Sequence, residues 1–283
     1  MIFKPWDRRG HPSYRKQGDL ADARAFDGGN QRQYREHGFQ DSYSYEVATI
    51  FVGGDSEAAR KLRQAIAIAV DFEEYISIFL NGRGIAAQSM LPPGIFGHRG
   101  GDAGVNPLVY DITPEGPRRK PISEARRLLA EAGYPEGRDI DTGKPLVLYF
   151  DTTATGPDDK ARLDWLRKQF ARLDIQLVIR GTDYNRFQDK MRKGTAQIYQ
   201  WGWNADYPDP ENFMFLLYGP NSKVEHNGEN ASNYSNAGYD RLFEQMKNMD
   251  NTPERLCWSS TWNWSSKSPK SEPPPPVPVG SPP

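Results

Sequence analysis

The sequence predicts an α/β fold, and three observations carry that prediction. Stretches of strand and helix periodicity alternate from residue 145 to residue 201. Two well-formed amphipathic helical patterns, near 55–70 and 122–133, come before that alternation. Strand–helix–strand order is the pattern of parallel strands joined by crossover helices.

Taken in order, residues 1–50 show neither helical nor strand periodicity for long, with scattered charges of both signs in RKQGDL and DGGNQRQYREHG. This zone reads as an irregular or poorly ordered segment. Residues 51–256 read as the folded unit. After Gly53-Gly54, Ala59, Leu62, Ile66 and Val70 fall on one helical face, while Arg60, Lys61, Arg63 and Gln64 face away. Asp71 and Glu74 have capping-box spacing for a second helix, EEYISIFL, which Asn81-Gly82 stops. In ISEARRLLAEAG, Ile122, Ala125, Leu128, Leu129 and Ala132 share a face before Gly133.

From there the alternation begins. LVLYF (146–150) is a strand, and Leu163, Leu166, Phe170 and Leu173 mark a helix. IQLVI (175–179) is a strand. Asp183 caps a helix carrying Tyr184, Phe187 and Met191, and AQIYQW (196–201) is a third strand. YDRLFEQM (239–246) is a last helix. The decapeptide WGWNADYPDP (201–210) is therefore expected just beyond a strand's carboxyl end, where open α/β sheets bind ligands. Residues 257–283 hold three tryptophans and then almost only serine and proline, which reads as a disordered Trp/Ser/Pro-rich tail of polyproline-II character.

Composition excludes several classes of function. With 36 Lys+Arg against 37 Asp+Glu, the net charge is −1, without the basic excess of a general nucleic-acid binder. Hydrophobic residues make up 37% and mean hydropathy is −0.78, so part of the chain is expected to lie outside any packed core. Cys257 is the single cysteine, which excludes an internal disulfide and a cysteine-built zinc site. No run approaches the ~20 apolar residues of a membrane helix, so the chain is not expected to span a membrane. MIFKPWDRRG lacks the apolar core of a secretory signal, so the chain as written is expected in the cytoplasm.

Signatures of catalysis are missing. There is no P-loop, no nucleophile elbow and no HExxH. His98 reads as a solvated loop residue, and Asp158-Asp159 as helix-start acids rather than a metal pair. The expectation is a protein that is not an enzyme and that needs no metal or other cofactor.

Four ordered blocks carry a resemblance: RKLRQAIAIAVDFEEYISIFLNGRGIAAQSMLPPGIFG, ARRLLAEAGYPEG (125–137), WNADYPDPENF (203–213) and NYSNAGYDRL (233–242). Together they resemble the family 5 extracytoplasmic solute-binding proteins, the peptide-binding receptors of ABC importers. The resemblance implies one lobe of a type II periplasmic-binding-protein fold, mainly the second lobe. It also implies a peptide or related solute held between two lobes, delivery to ABC permease subunits, and an extracytoplasmic or periplasmic site of action.

By the same resemblance the WNADY segment lines the cleft. Asp206 would pair with a peptide α-ammonium, Trp203 and Trp201 would form walls, and Asn204 and Tyr207 would stand behind them. The residues alone leave another reading open: Asp206 caps the turn before Pro208, and the two tryptophans are core. Asp209 and Glu211 read as a solvated helix start. The family's first lobe and export signal have no counterpart in residues 1–50, and a foreign tail follows about Cys257. The expectation is therefore a truncated or mis-framed product that binds peptide weakly.

Two competing readings belong to other classes. One is a cytosolic solute-sensing module of a transcription regulator, although residues 1–50 show no helix-turn-helix spacing. The other is an adaptor whose PPPPVP tail docks proline-recognition domains.

Overall fold

The computed structural model describes residues 2–5 and 43–50, as backbone strands, together with residues 56–256. The first helix, α1 (Glu57–Ala69), begins where the Ser56 hydroxyl accepts the Ala59 N–H at 3.1 Å. It buries Leu62, Ala65, Ile66 and Ala69, close to the face its periodicity predicts. α2 (Phe72–Leu80) begins where Asp71 Oδ1 accepts the Glu74 N–H at 3.0 Å, and it ends at Asn81, which adopts left-handed φ 52°.

The free carbonyls at the end of α1 find an unexpected partner. A hairpin of β4 (Tyr110–Thr113) and β5 (Gly116–Arg119) delivers the Arg119 guanidinium, which donates to the carbonyls of Ala67, Ile68 and Val70 at 3.2, 3.2 and 3.1 Å. A cation at a helix carboxyl end satisfies both the orphan acceptors and the helix dipole. α3 (Ile122–Glu131) follows and stops before Gly133 at φ 91°, as its sequence predicts.

The central part of the sheet is the predicted alternation. β6 (Val147–Thr152), α4 (Asp159–Ala171), β7 (Gln176–Gly181), α5 (Tyr184–Arg192) and β8 (Ile198–Asn204) succeed one another. β6 pairs in parallel with both β7 and β8. Asp183 caps α5 by accepting the Arg186 N–H at 3.0 Å. The full order is β3-β1-β2-β8-β6-β7, with β1 at Ile2–Pro5, β2 at Tyr43–Ile50 and β3 at Ile85–Ala86.

Two differences from the sequence reading emerge here. Residues 1–50 are not irregular throughout, because β1 and β2 belong to the sheet and β2 pairs antiparallel with β8 from Ser44↔Asn204 to Ile50↔Ile198. YSYEVATI is rich in aromatic and β-branched residues, but its strand signal is short and set in a polar zone. The second difference concerns β8, which runs on to Asn204. Trp201 and Trp203 therefore lie inside a strand, held there by pairing to Val47 and Tyr45, and not beyond its end. Residues 6–42 and the tail from Cys257 lie outside the described residues.

Among the described residues, side-chain burial defines three clusters. On one face of the sheet, Leu148, Phe150, Leu177 and Ile198 meet Leu62 and Ile66 of α1, Leu128 and Leu129 of α3 and Phe170 of α4. Each such buried side chain contributes about 1.5–3 kcal/mol relative to exposure. On the other face, Tyr199 packs with Phe187 and Met191 of α5. The third cluster joins Leu91 and Ile95 to Phe213, Met214, Tyr239, Phe243 and Met246, the last three on α8 (Ala237–Met246).

Candidate functional site

The site grows out of the end of β8. Strand alternation puts Trp201 and Trp203 on one face. Trp201 meets the Phe187 ring edge-on at 5.6 Å, and Lys223 Nζ lies 5.5 Å from the Trp201 ring centroid. Trp203 meets Phe215 edge-on at 5.0 Å. Both tryptophans are half-buried, so each has a packed side and an accessible side. The core reading holds for the packed side of each ring.

Beyond the strand the chain turns through Ala205 to Pro210, and Asp206 is exposed on that turn. Asn212, on the short helix α6 (Glu211–Met214), organises it. Asn212 Oδ1 accepts the Asp206 backbone N–H at 3.0 Å and the Trp203 indole N–H at 3.2 Å. Asn212 Nδ2 donates to Asp206 Oδ2 at 3.3 Å. Trp203 and Asp206 thus share one buried amide.

Asn204 is exposed at the last position of β8, on the opposite pleat from Trp203. Tyr207 is 40% exposed and its hydroxyl donates to Glu211. Burial, then that bond, pushes the Tyr207 hydroxyl above its usual range.

Asp209 is not simply part of a solvated helix start. Its Oδ1 accepts the Glu211 N–H at 2.8 Å, and its two oxygens take Arg255 through Nη1 and Nη2 at 2.7 and 2.6 Å. Arg255 is only 2% exposed and also donates to the Met246 carbonyl at 3.1 Å and to Asn251 at 2.7 Å. The loop bearing Asp206 is thereby fastened to the end of α8.

Asn212 and Arg255 are the two residues the sequence reading missed. Asn212 follows Asp206 closely enough for a turn-closing amide to have been sought. Arg255 left no signal, because nothing local marks its partner.

The remaining candidates have structural partners. His98 Nδ1 lies 2.8 Å from the Leu91 carbonyl, which places this histidine in a loop contact. Asp159 Oδ2 accepts the Gly156 N–H at 3.1 Å at the entry to α4, as a helix-start acid does. Among the described residues no group of three or more His, Cys, Asp or Glu side chains could hold a metal ion. A separate charged cluster centres on Asp151, which is fully buried and bonded by Arg180 at 2.7 Å and by Lys190. It joins β6, β7 and α5 in one network.

The fold defines a class, a partial lobe of the periplasmic-binding-protein architecture. A dipeptide binding protein from Pseudoalteromonas sp. SM9913, solved in complex with Met-Leu, superposes with TM-score 0.60 at 21% identity, over 78% of this chain and 39% of that one. The DppA periplasmic binding protein from Helicobacter pylori, in complex with the peptide STSA, gives 0.57 at 23% identity, over 78% and 38%.

Residues 15–225 match the bacterial extracellular solute-binding proteins, family 5 Middle, and the chain belongs to that family. Heme-binding protein A of Haemophilus influenzae is 27% identical over 195 residues, 69% of this chain and 32% of its own length. The dipeptide-binding protein of Escherichia coli is 25% identical over 197 residues, 69% and 33% respectively. The chain thus spans about a third of the length of these curated relatives. Among the described residues, no helix is long and apolar enough to cross a membrane.

Proposed function

We propose that this chain supplies ligand-contacting structure to the substrate-binding component of an ABC importer, an extracytoplasmic receptor without enzymatic activity that passes peptides to a permease. Asp206 pairs with the peptide α-ammonium. Trp203 and Trp201 provide the wall against which side chains of varied sequence pack, and Tyr207 stands behind them, while Asn204 lies on the opposite pleat of β8 and takes no part.

The observation that carries this reading is the exposed Asp206 carboxylate, joined through Asn212 to the half-buried Trp203 indole. A peptide amino terminus is a cation that loses water on binding, and a positioned carboxylate offsets that loss through a charge-assisted hydrogen bond. Aromatic faces bury apolar stems without demanding one side chain. Relatives are named for heme as well as for dipeptides. A carboxylate at the site favours a ligand that presents a cation, which supports peptide over an anionic porphyrin.

The test is an NMR titration of the full chain with a free-amine dipeptide and its N-acetyl form, read at the Trp203 indole N–H. The free-amine dipeptide should shift that signal in the wild type and lose its advantage in Asp206→Asn. Equal responses to both dipeptides in the wild type would overturn the reading.

A further inference from the structure

We propose that Asn212 is a positioning residue that fixes the aim of the Asp206 carboxylate and so sets the site's selectivity for a cationic ligand group. The proposal rests on the peptide reading above and deepens it.

The geometry settles which way round the Asn212 amide lies. Its oxygen receives two donors that can only donate, the Asp206 backbone N–H and the Trp203 indole N–H. The amide nitrogen must then face the remaining partner, Asp206 Oδ2. Asn212 is 2% exposed, so water does not compete freely for these bonds. One side chain thus ties the aromatic wall, the loop backbone and the carboxylate together. The amide bond to Oδ2 restricts rotation of the carboxylate, whose Oδ1 and remaining lone pair stay available to a ligand cation.

Two neighbouring acids have partners of their own, and the Lys223 ammonium beside Trp201 pairs with Glu229 at 3.3 Å. Asp209 is held by Arg255, which reaches in from beyond α8, and Glu211 receives the Tyr207 hydroxyl. Neither acid takes over the role of Asp206.

Two variants separate aiming from folding. Asn212→Asp retains both accepted bonds and so keeps the indole and the loop in place. When ionised it cannot donate to Asp206, and it sets two carboxylates against each other. Such a pair does not ionise fully together, so it holds a shared proton. Asn212→Ala removes all three bonds.

The experiment uses the full chain, the same dipeptide with free and acetylated amine, and NMR titrations from pH 5 to pH 8. Asn212→Ala should lower the free-amine preference by about fivefold, the size of one hydrogen bond of about 1 kcal/mol, with little change for the acetylated form. Asn212→Asp should show a preference that climbs with pH more steeply than in the wild type. In the absence of ligand, Asp206→Ala should shift the Asn212 Nδ2 proton resonances, which reports the contact directly.

Equal weakening of both dipeptides in Asn212→Ala would show a merely structural role and overturn the proposal. An unmoved Nδ2 resonance, or an Asn212→Asp preference that follows the wild-type pH profile, would also overturn it. A wild type with no preference but with a responsive Nδ2 resonance would keep the contact and remove the peptide reading, and the selectivity role would fall with it.

Discussion

Asp209 and Arg255 are unequal partners, and their difference in burial predicts which loss is worse. Arg255 is 2% exposed at its side chain and Asp209 is 29% exposed. Asp209→Ala strands a guanidinium away from water, at an expected cost of about 3–5 kcal/mol, the range for breaking a buried pair. Arg255→Met leaves a carboxylate that solvent can reach and replaces the stem with apolar volume, so its cost should be smaller. Urea unfolding of both variants at pH 7 checks the order. A larger loss in Arg255→Met would mean that the arginine's bonds to Met246 and Asn251 outweigh its charge pairing. These contacts also mark the limit of what sequence can show at this scale. Trp203 and Asp206 stood out as candidates because aromatics, acids and prolines crowd residues 201–210. Arg255 was not, because its partner is chosen by the packing of α8 and not by any spacing along the chain.

Helices and their ends were more legible, because periodicity and caps are local. Asp71 and Glu74 stand at capping spacing, and the bond from the Glu74 N–H to Asp71 is present. Asp71→Ala should cost about 1 kcal/mol and Asp71→Ser only part of that, measured by chemical denaturation. β6, β7 and β8 were equally readable from alternation. β2 was missed because a short strand in a polar zone acquires its meaning only from β8, far along the chain. Several helix-bound acids also set a pH window. The Arg186 backbone N–H holds Asp183 below the usual carboxylate range, Arg127 does the same for Glu124, and Lys61 does so for Glu131. A folded value below the unfolded one gives stability that is complete above about pH 4 and lost as pH falls through the folded value. The Tyr218 hydroxyl, bonded to Glu244, is pushed up to about 12. Its contribution is present below about pH 10, the unfolded value, and disappears as pH rises through the folded one. The thermal midpoint should therefore fall on both sides of a plateau, and a midpoint unchanged between pH 5 and pH 3 would contradict the acid limb.

At the scale of the whole molecule, the sheet is assembled from distant parts of the chain, yet the candidate site uses only one side of it. Asp206 stands exposed, and an ion pair in water contributes ~0–1 kcal/mol. Receptors that close over their ligand exclude water, and the same charges then attract more strongly. This chain, over its described residues, leaves Asp206 open to water. We therefore expect it to bind a free-amine dipeptide with Kd on the order of 1 mM, equivalent to roughly −4 kcal/mol. Saturation of the Trp203 indole shift in the NMR titration gives that constant directly. A micromolar Kd would require Asp206 to become buried on binding, so hydrogen exchange at residues 203–212 would then have to slow when the dipeptide is added. Millimolar binding without such protection is the outcome that an exposed carboxylate, open to solvent, should produce.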